Sequence, residues 1–273
     1  MKKVGTPFDT EPTKRFTERA ANYAAYRPKY PAAVVEFMRA ELGLSAASVV
    51  ADVGAGTGIW TEILLREGGC RTVYAVEPND AMRAEAENSL GKFPNFKSVN
   101  GAAEATTLAP ASVDFVTAAQ AFHWFDAHAA RAEFARILKP GGWAVLMWNM
   151  RRIETTPFLR DLESILRAYG TDYERVAADH PGRELMAEVF PRGYGTRSFA
   201  HEQILDYEAL RGRWLSASYV PLAGHPDHEP MFAALRRAFD AHRQDGNVRI
   251  EYEAVVHYGR LDGETLFEHD EKS

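Results

Sequence analysis

A glycine-rich segment around residue 54 carries the strongest chemical signal in this sequence. It reads Asp52-Val-Gly-Ala-Gly-Thr-Gly58, and it lies between an apolar, β-branched run and a stretch with apolar residues at helical spacing. Glycines between a strand and a helix let the backbone approach a ligand closely, and they expose amide N–H groups at the helix N-terminus. Such glycines also occur in plain strand–helix turns, so this segment alone does not identify a ligand.

The spacing of the glycines distinguishes between nucleotide-binding motifs. A dinucleotide fingerprint, G-x-G-x-x-G, needs a third glycine at position 59, which is Ile59, and no Gly-Lys-Ser/Thr of a P-loop follows. Glu77 ends the next predicted strand, 21 positions after Gly56. A carboxylate at that place accepts hydrogen bonds from both ribose hydroxyls. The combination predicts a ligand with an unphosphorylated ribose and disfavours a dehydrogenase.

Short apolar runs alternate with helical stretches around these residues. Strands are predicted at residues 48–53, 72–77, 96–99, 113–118, 143–148, 195–205 and 248–258. Helices are predicted at residues 58–67, 81–89, 129–138, 157–169, 183–189, 207–215 and 231–243. The alternation over the first five strands indicates βαβ units, and therefore a parallel sheet with helices on both faces.

The composition narrows the class of function. The chain has 273 residues, of which 46% are hydrophobic and 26% charged, which is typical of a globular protein. The net charge of −6 argues against a dedicated nucleic-acid-binding protein. The single Cys70 excludes an internal disulfide and a cysteine-based zinc site, and we expect no metal. Because no apolar run could span a membrane or form a signal peptide core, we expect a cytoplasmic enzyme without membrane or nucleic-acid partners.

Several segments resemble motifs of the class I S-adenosylmethionine-dependent methyltransferases. They are residues 50–58 (VADVGAGTG), 76–78 (VEP) and 138–143 (LKPGGW). Residues 23–31 (YAAYRPKYP) and 120–126 (QAFHWFD) are similar to the type 11 group, which includes trans-aconitate methyltransferase-like proteins. The resemblance implies S-adenosyl-L-methionine as cofactor and a small-molecule methyl acceptor, which the pattern does not identify. A module that binds the cofactor without transferring a methyl group, with a regulatory or interaction role, is the alternative.

The resemblance agrees with the predicted fold class, an α/β fold with a Rossmann-like, doubly wound sheet. It implies seven strands with the last one antiparallel, and the pattern adds a helical insert after strand five. No Pro/Gly/Ser-rich linker divides the chain, so we expect a single methyltransferase domain over residues 1–273. Its predicted parts are an N-terminal helical flap (1–45), a cofactor-binding core (46–149), a helical cap with the sixth strand (150–245) and the final strand (246–260).

The resemblance also implies which residues contact the cofactor. These are Tyr26, Arg27, Asp52, Gly54, Ala55, Gly56, Glu77, Pro78, Ala103, Glu104 and Gln120. Arg27 would pair with the cofactor carboxylate, and Gln120 would lie beside its methionine portion. Many relatives have an acid before Ala-Glu that contacts the adenine, but residues 101–104 read Gly-Ala-Ala-Glu. Adenine recognition would therefore depend on the backbone of Ala103 and its neighbour, or on Glu104.

Candidate residues for the acceptor side follow strands four and five. His123 is the candidate catalytic base, because a neutral imidazole accepts a proton near pH 7. The alternative is that His123, Trp124 and Phe125 pack together as a wall of the pocket. Arg151 and Arg152 lie at the edge where open α/β sheets bind substrates, so they could clamp an anionic acceptor or remain a solvated charge pair. The predicted substrate contacts are Trp124, Trp148, Arg152 and Tyr219.

Overall fold

A seven-stranded sheet lies at the centre of the computed structural model, which describes residues 25–174 and 182–262. Its strands are β1 (Val49–Val53), β2 (Thr72–Val76), β3 (Phe96–Val99), β4 (Val113–Ala119), β5 (Leu138–Arg151), β6 (Gly195–Leu205) and β7 (Val248–Gly259). The helices are α1 (Ala32–Leu42), α2 (Ile59–Ile63), α3 (Asp80–Leu90), α4 (Ala127–Ile137), α5 (Pro157–Tyr169), α6 (Arg183–Val189), α7 (Tyr207–Leu215) and α8 (His228–His242). The predicted fold class is confirmed.

The strand order β3-β2-β1-β4-β5-β7-β6 makes β1 and β4 the point where the connections turn to opposite sides. Strands β1 to β5 are parallel, whereas β7 inserts antiparallel between β5 and β6. Loops that leave neighbouring parallel strands in opposite directions open a crevice at the carboxyl ends of those strands. The loops after β1 and β4 therefore form the place where a ligand is expected.

Both faces of β1 are buried, because helices cover the sheet on each side. All five residues of β1 are buried. Val50 packs in a cluster with residues of α1 and α2, whereas Ala51 and Val53 pack in a second cluster with residues of α4 and α6. Alternating side chains of a strand point to opposite faces, so a strand with apolar residues on both sides is what two covered faces require. This packing fixes the position of the loop that follows Val53.

A third apolar cluster joins α5, α7 and α8 to the beginning of β7. It includes Leu162 of α5, Trp214 of α7 and Phe239 of α8, which pack around Ile250 and Tyr252. These three helices lie within residues 150–245, and the predicted division of the chain into a flap, a core and a cap stays a prediction. Of the predicted flap, residues 1–24 lie outside the described residues, as do residues 175–181 of the cap.

Local boundaries differ from the sequence patterns in a few places. Helix α3 begins at Asp80, one residue before its predicted start, and Asn79 caps it: the Asn79 side chain accepts a hydrogen bond from the Met82 amide at 3.0 Å. The helix after the glycines is regular only from Ile59 to Ile63, and it continues as a wider π-type turn from Leu64 to Gly68. No helix among the described residues is long and apolar enough to cross a membrane.

Candidate functional site

A cavity of about 730 Å³ opens where the carboxyl ends of β1, β2, β4 and β5 meet. Its volume falls within the range of roughly 300–1,000 Å³ that is typical of small-molecule sites. We call the part lined by the N-terminal segment and the loops after β1 to β4 the glycine-loop half. We call the part lined by β5, β7 and the cap helices the arginine half, and its charged lining residues are Arg151, Glu163, Arg167 and Arg213.

Gly54 is required by the shape of the glycine loop. Its φ of +69° is a conformation that residues with a side chain rarely adopt. A Cβ atom at this position would lie 2.7 Å from the Cβ of Ala121 and 2.9 Å from the Phe125 Cζ. The amides of Gly54 and Ala55 both donate to the carbonyl of Val76, at 2.9 and 3.1 Å. The loop is therefore pinned to the end of β2 and pressed against the loop after β4.

Glu77 connects the loop after β2 to the glycine loop. Its Oε2 accepts a hydrogen bond from the Gly56 amide at 2.8 Å, and its Oε1 accepts one from the Asn79 amide at 2.9 Å. Burial raises the pKa of Glu77, and the two amide hydrogen bonds partly offset this rise. Each carboxylate oxygen has a second acceptor position, so the cavity-lining carboxylate can still receive two hydroxyl groups.

Asp52 lies near the end of the buried strand beneath the glycine loop. Its side chain is only 1% exposed, and burial raises its pKa to about 7. Two threonine hydroxyls partly offset this rise: Thr61 donates at 2.6 Å and Thr117 at 3.2 Å. Asp52 therefore lines the cavity as a carboxyl group that exchanges its proton near neutral pH.

Gln120 adopts a left-handed backbone conformation at the end of β4, with φ of +55°. This conformation is uncommon for a residue other than glycine, and it is often found at functional sites. The amide of Gln120 donates to the Met147 carbonyl at 2.8 Å, and its side-chain oxygen accepts from the Asn149 amide at 2.8 Å. Both bonds tie the loop after β4 to β5, so this cavity-lining residue has a defined position.

The N-terminal segment contributes Arg27 to the cavity but not Tyr26. Arg27 lines the cavity and donates to the Ser216 carbonyl at 3.0 Å. Tyr26 packs its ring against Gly212 of α7, where a Cβ atom would collide with the ring. Tyr26 is not among the described residues that line the cavity, because its ring lies against the cap, and its predicted contact with the cofactor stays a prediction.

The other residues predicted for the glycine-loop half line the cavity. They are Gly56, Pro78, Ala103 and Glu104, together with Ala55. Ala103 is buried and lies within the turn that an isolated bridge from Ala102 to Ala105 closes. Glu104 accepts a hydrogen bond from the Asp126 amide at 2.9 Å, so its carboxylate is anchored beside the loop after β4.

A buried ion-pair network lies in the arginine half. Arg151 donates through Nη2 to the Glu163 Oε2 at 2.7 Å and to the Tyr173 hydroxyl at 3.0 Å. The Tyr173 hydroxyl donates to the same Glu163 oxygen at 2.6 Å, and Arg167 donates to the Glu163 Oε1 at 2.9 Å. Burial raises the pKa of Glu163, but the hydrogen bonds from Tyr173 and Arg151 outweigh it and hold that pKa below its ordinary value.

Arg213 lines the same half of the cavity from α7. Its side chain is buried, and its Nε donates to the Tyr252 hydroxyl at 3.3 Å. Tyr252 in turn donates to the Gln203 Oε1 at 3.0 Å, and its ring stacks on His201. Arg213 is therefore positioned by β6 and β7, two strands that the glycine-loop half does not use.

His123 lies in a short 3₁₀ turn after β4 and packs against aromatic rings. Its Nδ1 accepts a hydrogen bond from the Trp148 Nε1 at 3.4 Å, and its ring lies 4.9 Å from that of Trp124. An indole N–H can only donate, so Nδ1 is the acceptor and the neutral ring carries its proton on Nε2. The ring nitrogen that faces Trp148 is thus already engaged.

Arg152 does not lie at the cavity, unlike the other predicted substrate contacts. Trp124, Trp148 and Tyr219 line it, whereas Arg152 is 43% exposed and its guanidinium lies 4.0 Å from the Glu253 carboxylate. Successive side chains of a strand point to opposite faces, so Arg151 and Arg152 cannot both face the cavity. This alternation was the signal in the sequence that one of the two arginines, and not both, faces the cavity. Glu163, Tyr173, Arg213 and Tyr252 were missed, because only the tertiary fold brings them together.

The residues of the glycine-loop half fit an adenosyl cofactor. The glycine at position 54 leaves no room for a side chain, the glycine loop lines a cavity, and a buried carboxylate stands where ribose hydroxyls are expected. No group of three or more potential metal ligands occurs among the residues that the structure describes.

Comparisons with known proteins agree with this fit. The family model described as a methyltransferase domain matches residues 51–146. An uncharacterized methyltransferase-like protein of Schizosaccharomyces pombe is 31% identical over 226 residues, which cover 81% of this chain and 84% of that protein. An uncharacterized methyltransferase of Mycobacterium tuberculosis is 35% identical over 167 residues, covering 61% of this chain and 65% of that protein.

Solved structures show the same fold. A structure reported as a candidate type II methyltransferase of Anaeromyxobacter dehalogenans aligns with a TM-score of 0.61 and 24% identity, covering 87% of this chain and 99% of that one. Neither of the two relatives nor this structure is described as a trans-aconitate methyltransferase, so membership of that group stays a prediction. The family model, the relatives and the fold together establish that this chain belongs to the class I S-adenosylmethionine-dependent methyltransferases, with S-adenosyl-L-methionine as its cofactor.

Proposed function

We propose that this methyltransferase modifies a small organic acceptor, which binds in the arginine half of the cavity. The observation that carries the proposal is that one cavity is lined both by the glycine loop with Glu77 and by the aromatic and charged residues of β5 and the cap. A cavity of about 730 Å³ has a size typical of small-molecule sites, and it has charged groups placed to orient a ligand.

We assign the cofactor to the glycine-loop half. Glu77 would accept both ribose hydroxyls, and Asp52 and Gln120 would contact the methionine portion. Arg27 would pair with the cofactor carboxylate, since its side chain lines the cavity. The remaining assigned contacts are Gly54, Ala55, Gly56, Pro78, Ala103 and Glu104. When bound, the cofactor supplies a methyl group on a positively charged sulfur, which is activated toward displacement.

The contribution of the chain is positioning and the exclusion of water. The N-terminal segment is held over the cavity by the bond from Arg27 to Ser216 and by the Asn149 side chain, which donates to the Pro28 carbonyl at 3.3 Å. Asn149 also donates through its amide to Gln120. One residue at the end of β5 thus connects the N-terminal segment, the loop after β4 and the arginine half.

His123 serves in this proposal as a wall of the cavity rather than as a general base. Its Nδ1 accepts from the buried Trp148, so the lone pair that a base needs is engaged in the neutral ring. Its proton on Nε2 makes the other ring nitrogen a hydrogen-bond donor. An acceptor that is already anionic requires no base, and this arrangement is suited to such an acceptor.

The test uses the full chain with methyl-labelled cofactor. Binding of S-adenosylhomocysteine, the demethylated product of the cofactor, is measured first by isothermal titration. The protein is then incubated with labelled cofactor and either the small-molecule filtrate or the macromolecular fraction of a cell extract, with Gly54→Ala as the matched inactive control. We expect label in the small-molecule fraction. Label only in macromolecules would contradict the small-acceptor proposal, and binding without any transfer would favour a regulatory module.

A further inference from the structure

We infer that the acceptor is a monocarboxylate with an apolar body, and that Arg151 binds its carboxylate with the help of Arg213. The inference rests on the proposed function, because it concerns the acceptor in the arginine half of the same cavity. It assigns a specificity-determining role to Arg151, which the sequence pattern offered together with Arg152, and to Arg213, which the pattern did not select.

The two terminal nitrogens of the Arg151 guanidinium differ in their hydrogen bonds to the protein. Its side chain is 11% exposed, and Nη2 donates to both Glu163 and Tyr173. Its Nη1 is buried and has no hydrogen-bond partner among the residues that the structure describes. A buried donor without a partner is unfavourable, and more so on a charged group, so an oxyanion of a ligand in this cavity is favoured there.

The guanidinium is held in place before any ligand arrives. Glu163 lies on α5 and Tyr173 follows that helix, and the Tyr173 hydroxyl also donates to the Glu163 oxygen that Arg151 contacts. Tyr173 further packs edge-on against Tyr219, with the ring centres 5.1 Å apart. A donor fixed by several contacts loses little freedom on binding, which favours affinity and selectivity.

The charged side chains of the arginine half are suited to a ligand with a single negative charge. Arg151, Arg167 and Arg213 line it, and against them stand Glu163 and the exposed Glu174, which pairs with Arg167 at 2.7 Å. Among these five groups the positive charges exceed the negative ones by one. A carboxylate carries one negative charge, whereas a phosphate monoester carries about 1.5 to 2 at neutral pH and would exceed it. The balance therefore favours a carboxylate.

Most of the remaining lining of this half is apolar or aromatic. The other side chains of this half are Trp148, Met150, Ile153, Tyr173, Tyr219 and Tyr252, with the polar Asn149 and Ser218, and Trp124 of the loop after β4 lines the same cavity. Large aromatic faces beside a fixed cation favour a ligand whose charged end is attached to a ring or an alkyl chain. A polyacid would place further charges against these rings, so we expect it to be rejected.

The first experiment compares acids with their neutral amides. The full chain, saturated with S-adenosylhomocysteine, is titrated calorimetrically with cinnamate and hexanoate, and with cinnamamide and hexanamide. We expect each acid to bind at least about tenfold more tightly than its amide, because a charge-assisted hydrogen bond replaces a neutral one. Equal affinities, or no binding by either member of both pairs, would overturn the inference while the cofactor site remains intact.

The second experiment replaces Arg151 and its neighbour. Arg151→Met should bring the ratio of acid to amide affinity close to one, whereas the matched control Arg152→Met should keep the wild-type ratio. S-adenosylhomocysteine affinity reports whether each variant is folded. If Arg151→Met fails to bind it, Arg151→Lys, which keeps the charge beside Glu163 but loses the second nitrogen, should give a ratio between one and the wild-type value.

The outcomes separate this inference from the proposed function. An unchanged ratio in a folded Arg151 variant would show that Arg151 does not bind the carboxylate. A water in the void of about 10 Å³ beside Arg151 and Arg213 would then be the expected partner of Nη1. That result would overturn the inference alone. Failure of the wild-type chain to bind S-adenosylhomocysteine would instead contradict the proposed function.

Discussion

The two halves of the cavity are held in place by different kinds of contact. In the glycine-loop half, backbone groups make the decisive contacts: Glu77 accepts from two amides, and Gly54 donates to a carbonyl. In the arginine half, side chains contact side chains, as in the bonds of Arg151 to Glu163 and Tyr173. A backbone contact survives most substitutions, whereas a side-chain contact depends on both residues. Substitutions can therefore change the ligand of the arginine half while the geometry of the glycine-loop half stays the same.

Gly54→Ala is expected to have the largest effect, because it attacks the backbone geometry on which the first half depends. The new Cβ would collide with Ala121 and would need a disfavoured positive φ. We expect S-adenosylhomocysteine affinity to fall on the order of 100-fold by isothermal titration. The control is Gly69→Ala, which has the same backbone strain but open space around it. It should cost about 1–2 kcal/mol of stability and leave affinity unchanged. Equal losses in both variants would show that strain alone matters.

Glu77→Ala tests whether a side chain is also essential in the half dominated by backbone contacts. It removes the carboxylate proposed for the ribose and the acceptor that holds the Gly56 amide. We expect binding of S-adenosylhomocysteine to weaken by about 1.5–3 kcal/mol, the range for hydrogen bonds to charged groups. Retention of wild-type affinity would remove the ribose assignment.

Asp52 and Glu163 should give the two halves opposite pH dependences of stability, because the pKa values of these residues shift in opposite directions. The pKa of Asp52 in the folded protein, about 7, lies above its ordinary value of 3.8, so the folded state holds the extra proton. Stability should therefore fall as pH rises through this window, by about 2–3 kcal/mol between pH 5 and pH 8. Urea unfolding without cofactor measures this, and Asp52→Asn should lose that part of the slope. Identical slopes would mean that the carboxyl is ionised in the fold.

The contribution of Glu163 to stability should depend on pH in the opposite direction. Its pKa is held below the ordinary value, so its contribution is present above the unfolded pKa and is lost as pH falls through the folded pKa. In urea unfolding, Glu163→Gln should therefore lose stability relative to wild type at pH 7, and the difference should shrink as the pH is lowered through the acid range. A difference that grows toward acid pH would contradict this assignment.

His123→Asn is expected to have the smallest effect, because the proposed function assigns His123 to the wall of the cavity and not to proton transfer. We expect turnover of an identified acceptor to fall by less than tenfold, whereas loss of a general base costs about 10²–10⁴-fold. The pH profile of turnover should keep its shape. A loss in the larger range, with disappearance of an acid-limb pKa, would restore the base assignment.

The sequence predicted the fold and the glycine-loop half because their signals are local. The strand, the glycines and the acid at the end of the next strand follow one another along the chain, and the parallel sheet brings such loops to one edge. Arg213 and Tyr252 gave no such signal, because they are 39 positions apart and meet only when α7 packs on β7. The contact between Tyr26 and Gly212 of α7 likewise gave no local signal, because the two residues are far apart in the chain.

The insertion of β7 between β5 and β6 has a consequence for the order of folding during synthesis. Arg151 on β5 pairs with Tyr252 on β7, and β6 is joined to the sheet only through β7. Until residues 248–259 have been made, β5 has an unpaired edge and β6 has no strand to join. Contacts between segments so distant in the chain form late, and unpaired edges expose nascent proteins to aggregation. The ribosome-bound chain can thus form β1 to β5 and the glycine loop early, while the arginine half is completed only after β7 has emerged.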